Sequence, residues 1–422
     1  MRVLLGFVVV AAFVAAFFAM RWQIGRSFAE LASPSKEYFK SNFTEIAATA
    51  KDFAPNDPLA NLLFANSKKN IAVLNQSEPF VPLFENAAKL APNDYRYWVD
   101  LGRVRDQTGD AANSETAFRR AVELAPNYAY PRWLLGNMLL RSGRQTEAFA
   151  EFKRVAQNHS TLRLQVFYVL WETLDGNAAQ LEQTVGDTPN VNTGLTLFYA
   201  VKNRPDDVLR VWNKLNPIQK EEARYEADTA AKTLYNKARY RTALILMREI
   251  GTTQAEIEKI SNGGFENEIT KSPDLTFDWQ VQQIKGVDVT LDLRAPQEAK
   301  RSLRLTFNGY DEPTLQNVTQ IVAVQPSTRY RLSFAVKTSE LKSAGTPMVE
   351  VVESQTTKSL AASAPFAVGS GEWKTVNLDF TTPPETEGVL IRTTRQFCGE
   401  NCPIVGSIWY DDFKLQNNRN NR

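Results

Sequence analysis

The 422 residues carry 49 basic and 47 acidic side chains, a formal net charge of +2, and two cysteines. Charge this balanced gives no support to a nucleic-acid surface, which would need a basic stripe, and two cysteines exclude a disulfide-dense scaffold. A single histidine, His159, leaves too few ligands for a Cys/His zinc cage and no partner for a serine or cysteine triad. His159 itself reads as an exposed residue at a helix end. The length allows two or three domains.

The chain opens on VLLGFVVVAAFVAAFFAM, Val3 to Met20, 18 residues without a charge. A bilayer-spanning helix needs about 17–25. Trp22 stands at the expected interface, with Arg21 and Arg26 beside it. The rival reading is a cleaved secretory signal, whose apolar core usually runs about 7–15 residues. This core is longer and no small-x-small cleavage site follows it. The expectation is an uncleaved single-pass anchor over residues 1–26. The flanking arginines lean slightly towards a cytoplasmic C-terminus. The cysteine pair in CGENC, Cys398 and Cys402, leans the other way, because that spacing closes a small disulfide loop in an oxidising compartment. A structural disulfide and two free thiols both remain open. The soluble part is expected on the extracytoplasmic, periplasmic side.

From Ser27 to Phe53 the pattern is amphipathic and helical, until APNDP breaks it at Pro55 and Pro58. An internal period follows. Phe84, Ala87, Leu90 and Pro92 recur 34 residues on as Phe118, Ala121, Leu124 and Pro126, and Leu101, Gly102 and Gly109 recur as Leu135, Gly136 and Gly143. Gly102 and Gly136 permit close helix approach, Gly109 and Gly143 turn the chain, and the prolines end each second helix. With Leu-Gly, a small residue, an aromatic, Ala and Pro at this period, the region resembles the tetratricopeptide repeat family. The segment near Leu62 to Ala65 reads as a degenerate first repeat. LFYAVKNRPDDVLRVWNKL and LYNKARYRTALILMREI read as two more. A solenoid of four to six helix pairs is expected within residues 27–260. The resemblance implies a protein or peptide partner in the concave groove, where the family's register puts Arg96, Arg103, Tyr130 and Asn137.

After Gly264 the period becomes two. Val287, Val289, Leu291 and Leu293 share one face, as do Leu303, Leu305 and Phe307, then Tyr330, Leu332, Phe334 and Val336, then Val376, Leu378 and Phe380. Turn clusters separate the runs, so residues 261–418 are expected to form an all-β sandwich. NGGFE, FDWQV, YRLSFAVK, EWKTVNLDFTTP and IWYDDFKL follow one another in an order similar to carbohydrate-binding modules of the galactose-binding-like jelly-roll type. The resemblance covers about 262–415. It implies that Glu266 and Asp411, with neighbouring Asp412, hold a structural calcium. The alternative is a carboxylate that caps backbone groups beside a solvated turn. Sugar binding needs exposed aromatic faces. Tyr310, Trp409 and Trp279 are the candidates, Tyr310 being expected outermost and Trp279 and Trp373 inclined to packing. Residues 419–422 are expected to be a disordered tail.

No phosphate loop, dinucleotide fingerprint or nucleophile elbow is present. The expectation is therefore a multidomain, non-catalytic scaffold: a membrane helix, an all-α repeat solenoid and an all-β jelly roll, bridging a protein partner and a glycan in cell-surface polysaccharide assembly or export. A purely structural scaffold without sugar binding and a glycan-processing enzyme of unfamiliar kind are the alternatives.

Overall fold

The computed structural model describes residues 2–32, 42–75, 80–269, 277–297, 299–399 and 402–418. The tail at 419–422 lies outside them. The chain is multidomain and divides into two compact units, Met1–Val191 and Asn192–Arg422.

The first unit is helical: α1 (Arg2–Ala32), α2 (Phe43–Phe53), α3 (Pro58–Asn75), α4 (Val81–Leu90), α5 (Tyr95–Gln107), α6 (Ala111–Leu124), α7 (Ala129–Arg141), α8 (Gln145–Asn158), α9 (Ser160–Thr173) and α10 (Ala178–Val185). From Leu5 to Ile24 the large side chains of α1 are exposed. From Gly25 onward one face is covered, with Ala29 and Ala32 buried. Gly25 lies where an added Cβ would meet Ala54 at 2.6 Å, so the helix end and the turn after α2 are in direct contact. The apolar run and the first packed helix of the unit are thus one continuous helix.

The helical hairpins share one turn. Gly109 takes φ +81° and the Asp110 N–H donates to the Arg105 carbonyl at 2.9 Å; Gly143 takes +75° and the Arg144 N–H donates to the Leu139 carbonyl at 2.9 Å. A left-handed residue followed by this reach-back bond is how a helix end satisfies its orphan carbonyls. The turn recurs at Asp175 (φ +49°), with Gly176 N–H bonded to the Trp171 carbonyl at 2.8 Å. The α9–α10 hairpin therefore belongs to the same series, although Asp175 stands where Gly109 and Gly143 do and its left-handed glycine, Gly176 (φ +72°), comes one position later.

The second unit begins with α11 (Pro189–Val201), α12 (Pro205–Trp212), α13 (Pro217–Glu222), α14 (Arg224–Asn236) and α15 (Tyr240–Glu249). Asn203 (φ +58°) and Ala238 (φ +55°) make the turns of α11–α12 and α14–α15. Ten strands follow: β1 (Gln280–Val281), β2 (Val287–Asp292), β3 (Ser302–Tyr310), β4 (Val318–Ala323), β5 (Arg329–Lys342), β6 (Pro347–Glu353), β7 (Ser359–Ala362), β8 (Gly369–Thr381), β9 (Gly388–Arg395) and β10 (Ile404–Asn417). They form two antiparallel sheets, ordered β1-β4-β9-β6-β7 and β2-β3-β10-β5-β8. Between them lies one core built on Phe265, Leu305, Phe307, Tyr330, Leu332, Phe334, Ile408 and Tyr410. The last helical hairpin packs onto the sandwich. Tyr240 lies against Gly388, where no Cβ fits. The Arg239 guanidinium stands 3.5 Å from the Glu387 carboxylate, which also accepts the Arg241 N–H at 3.3 Å. Tyr235 and Tyr240 meet Phe277 edge-on.

Gly102 and Gly109 separate two roles of glycine. A Cβ on Gly102 would stand 2.6 Å from the buried Phe118 ring, whereas one on Gly109 meets nothing within 4 Å. Gly102→Ala is expected to destabilise by overpacking, about 1–3 kcal/mol, and Gly109→Ala by backbone strain alone, about 1 kcal/mol. Chemical denaturation compares them. A larger loss for Gly109→Ala would contradict the packing role assigned to Gly102.

Candidate functional site

The sheet β2-β3-β10-β5-β8 turns alternate residues away from the core. The pairing register sets Thr290, Arg304, Trp409 and Lys337 side by side across four strands, and next to them Asp288, Thr306, Ser407 and Ser339. Two polar rows therefore cross this face. Their members are bonded to one another and to flanking side chains. The Asn308 amide donates to Asp288 at 2.8 Å, Thr306 and Ser407 hydroxyls lie 3.3 Å apart, and the Arg304 guanidinium donates to the Ser407 hydroxyl at 3.2 Å. Lys337 stands 3.6 Å from Glu372. Asp288, Thr290 and Asn308 are exposed or half-buried, so donors and acceptors remain within reach of a ligand.

Trp409 sits in the middle of the first row but offers no free ring face. It is 8% exposed, and the Arg304 guanidinium lies 5.0 Å from its ring centroid. Its indole N–H donates to Asp292 at 3.0 Å. Burial would raise the Asp292 carboxyl. The Trp409 hydrogen bond, the Arg294 amide and the Arg294 and Arg304 charges outweigh it and hold the group below the usual carboxylate range.

The other two aromatic candidates are corrected more strongly. Trp279 is 2% exposed, tilted against Phe265 and edge-on to Phe413, with its N–H donated to the Asn262 carbonyl at 3.2 Å. Tyr310 was expected outermost and is 6% exposed, its hydroxyl donated to the Thr314 carbonyl. The turn-rich surroundings of Tyr310 mark a loop, but the phenol folds back under that loop because its hydroxyl finds a carbonyl there.

Glu266 and Asp411 do come together, on either side of Gly264, where an added Cβ would lie 3.9 Å from each. Both are aimed at backbone. Glu266 Oε1 accepts the Lys300 and Arg301 N–H groups at 2.8 and 2.9 Å. Asp411 is 1% exposed and accepts the Gln297 N–H at 2.9 Å and the Asp412 N–H at 2.7 Å. Asp412, left-handed at φ +53° in a bulge of β10, pairs instead with Lys414 at 2.5 Å. Calcium needs six to eight oxygen ligands. Amide hydrogens pointing at these oxygens, and no cluster of three acidic, His or Cys groups among the described residues, do not fit that cage. The carboxylates instead tie the β2–β3 loop to the two ends of the domain.

Cys398 and Cys402 are joined, their Cα atoms 6.0 Å apart, within the range a disulfide spans. The loop they close contributes the Cys402 carbonyl and Cys398 Sγ to the buried Arg395 guanidinium, at 2.6 and 3.2 Å. The Glu312 carbonyl takes a third N–H at 2.9 Å. Burial pulls the Arg395 pKa down, against Tyr310 and Asp311.

On the first unit, Arg96 and Arg103 lie on α5 and Tyr130 and Asn137 on α7. Arg96 is engaged by its own N-cap, Asp94, at 2.5 Å. The Asn137 amide turns back to the Trp133 carbonyl at 2.7 Å. Arg103 is exposed, 3.8 Å from Asp100. Burial pushes the Asp100 carboxyl up, against the charges of Arg103 and Lys69. Tyr130 is exposed and, with Tyr128 and His159, lines a cavity of about 470 Å³. Tyr128 stacks on Tyr95 at 5.1 Å between centroids. Sequence reasoning passed over Tyr128, and its recurrence 33 residues after Tyr95 was the available signal. His159 is half-buried, ending α8 and opening α9.

Family models match two stretches, a carbohydrate binding domain over 258–396 and a tetratricopeptide repeat over 81–129 and 99–162. No curated protein matches the sequence. Similar solved structures include a CBM4 module at 15% identity and TM-score 0.28, covering 37% of this chain and 99% of the module. They also include a cyclase from Fischerella sp. TAU at 16% and 0.25, covering 39% and 96%, and MamA at 14% and 0.28, covering 47% and 90%. At these values the structural likenesses carry neither ligand nor activity across.

Two expectations follow. Glu266 lies below the usual carboxylate range because the Lys300 and Arg301 amides favour its charged form. Its stabilising effect is full above the ordinary value of about 4.3 and is lost as pH falls through the depressed folded value. Glu266→Gln keeps an acceptor and removes the charge, so its stability should fall less steeply than wild type below about pH 4.3; parallel curves would contradict the tie. Reducing the disulfide should cost the second unit roughly 2 kcal/mol, as expected for a five-residue loop, read as a lower unfolding midpoint with reductant. An unchanged midpoint would deny the loop any part in holding Arg395.

Proposed function

We propose that this chain, with tetratricopeptide repeats in its first unit and a carbohydrate-binding-type sandwich in its second, is a membrane-anchored, non-catalytic adaptor. It joins a protein partner to a glycan. Tetratricopeptide repeats point to protein interaction and the sandwich family to carbohydrate binding. The observation that carries the glycan half is the pair of polar rows on β2, β3, β10 and β5. Hydroxyl, amide, carboxylate and cationic groups are held there at fixed spacing, the chemistry that recognises sugar hydroxyls. The anchor half rests on α1, whose apolar window has a mean hydropathy of 2.0 and no buried residue. A periplasmic soluble part accords with the closed disulfide. A role in cell-surface polysaccharide assembly or export rests on this combination of repeat scaffold, glycan face and anchor.

A second reading is a scaffold whose sandwich contacts only protein. The burial of Trp279 and Tyr310 and the covered ring of Trp409 favour it, since no one of these rings is open for stacking.

The full chain in lipid nanodiscs, screened against polysaccharides by calorimetry or array, separates the two. Binding should weaken about tenfold, some 1.4 kcal/mol, in Asn308→Ala or Lys337→Ala through lost hydrogen bonds. Binding by neither wild type nor variants, with a protein partner still captured, would replace the first reading with the second.

A further inference from the structure

Helix α1 changes its surroundings at a sharp level. Phe13, Phe17, Phe18, Met20, Trp22 and Ile24 are exposed. The next residue, Gly25, is buried against Ala54. A helix solvated on all sides by apolar contacts, then by protein on one side, has its lipid boundary between these levels. The turn between α2 and α3 sits at that boundary. The Arg21 guanidinium donates to the Asp52 carbonyl at 2.6 Å. Arg26 holds the buried Asp57 at 3.0 Å. Phe53 is exposed and lies beside Phe28, ring centroids 6.4 Å apart.

The depth follows from helix geometry. Gly25 stands five residues past Met20, so about 7–8 Å further along the axis at 1.5 Å per residue. The headgroup region on each side of a roughly 30 Å hydrocarbon core is of order 5–8 Å thick. The residues at this level have the chemistry of that layer. Trp22 and Phe53 present aromatic surface and Arg21 presents a cation beside the exposed Asp52 carboxylate, while the half-buried Lys51 lies over the Phe64 ring at 4.1 Å. Amphipathic aromatics with flanking cations are the residues that settle at a membrane interface.

We propose that the α2–α3 turn is a second membrane contact, docked in the phospholipid headgroup layer through Phe53 and Trp22, with Arg21 both pinning the turn and facing lipid phosphate. It rests on the reading of α1 as a membrane anchor. The unbroken helix makes the dock rigid. The first helices of the solenoid are held at a fixed height above the bilayer, and the array does not swing on a linker at this junction.

Spin labels test it on the full chain in phospholipid nanodiscs, with single substitutions Val10→Cys, Phe53→Cys, Asp52→Cys and, as a water reference on α6, Thr116→Cys. Cys398 and Cys402 are closed in the disulfide and take no label. The ratio of oxygen to nickel-chelate accessibility gives depth. The expected order is Val10 deepest, Phe53 and Asp52 intermediate at headgroup depth, and Thr116 in water. If Val10 is lipid-immersed but both Phe53 and Asp52 match Thr116, the dock is overturned and the anchor stands. If Val10 also matches Thr116, the anchor reading itself fails. The Asp52 label guards against a Phe53 variant that disturbs the Phe28 contact.

Discussion

A helical hairpin can bury only one stripe against its neighbour, so a stacked array always has an apolar end to cover. In this protein the elements that cover those ends are the ones with functional potential. In the first unit the last two turns of α1 complete the packing of α2 and α3. The seam is lined by alanine, Ala29, Ala47, Ala50 and Ala60, all fully buried, which lets three helices approach closely. In the second unit the α14–α15 hairpin is covered by the sandwich through Tyr240, Gly388, Phe277 and the Glu387 carboxylate. Removing α1 or the sandwich would therefore uncover helical core.

The sandwich shows how one sequence pattern serves two chemistries. An acid near the first strand and an acid in the last strand meet beside Gly264. Such a pair can share a hard cation, or it can accept backbone hydrogens. Here the loop between β2 and β3 brings three amides to it. A charged acceptor makes such bonds about twice as strong as neutral ones, so these amides fix the position of the loop. The same loop leads into Ser302, whose hydroxyl donates to the Ala295 carbonyl at 2.7 Å, and so into β3, which carries Arg304 and Thr306 of the polar rows and Asn308 beside them.

The repeats were legible where the local rule needs glycine. Gly102 and Gly136 sit against Phe118 and Phe152, and Gly109 and Gly143 are left-handed; both demands leave a mark in the sequence. The α9–α10 hairpin was out of register because Asp175 takes the left-handed place of Gly109 and Gly143 and the glycine, Gly176, follows one residue later; a short polar residue adopts that conformation at modest cost. Strand alternation was equally legible: Leu303, Leu305 and Phe307 all face the core. Alternation gives the side of a strand and says nothing of what lies over it. Hence Trp409 could be placed on the outer face but not beneath the Arg304 guanidinium, and Tyr310 could be placed in a turn but not folded under it. The Glu266–Asp411 meeting was readable from family order, whereas the amides that claim them belong to the β2–β3 loop, which has no motif of its own.

These covered rings shape what the polar face can do. Stacking on an open aromatic supplies much of the affinity in many sugar sites, and Trp409 is already occupied. Binding on this face then rests on hydrogen bonds exchanged with water, each worth only about 0.5–1.5 kcal/mol net. The rows are pre-ordered by bonds such as Asn308 to Asp288, which saves ordering entropy but also means a ligand competes with existing partners. A single such site is weak. On the proposed reading of α1 as an anchor, many copies held in one plane would meet a long polymer at high effective concentration, and avidity can exceed single-site affinity by about 10²–10⁴. On that reading the proposed anchor and the polar face would act as one device: a face this modest gains most on a polymer when it is displayed in an array.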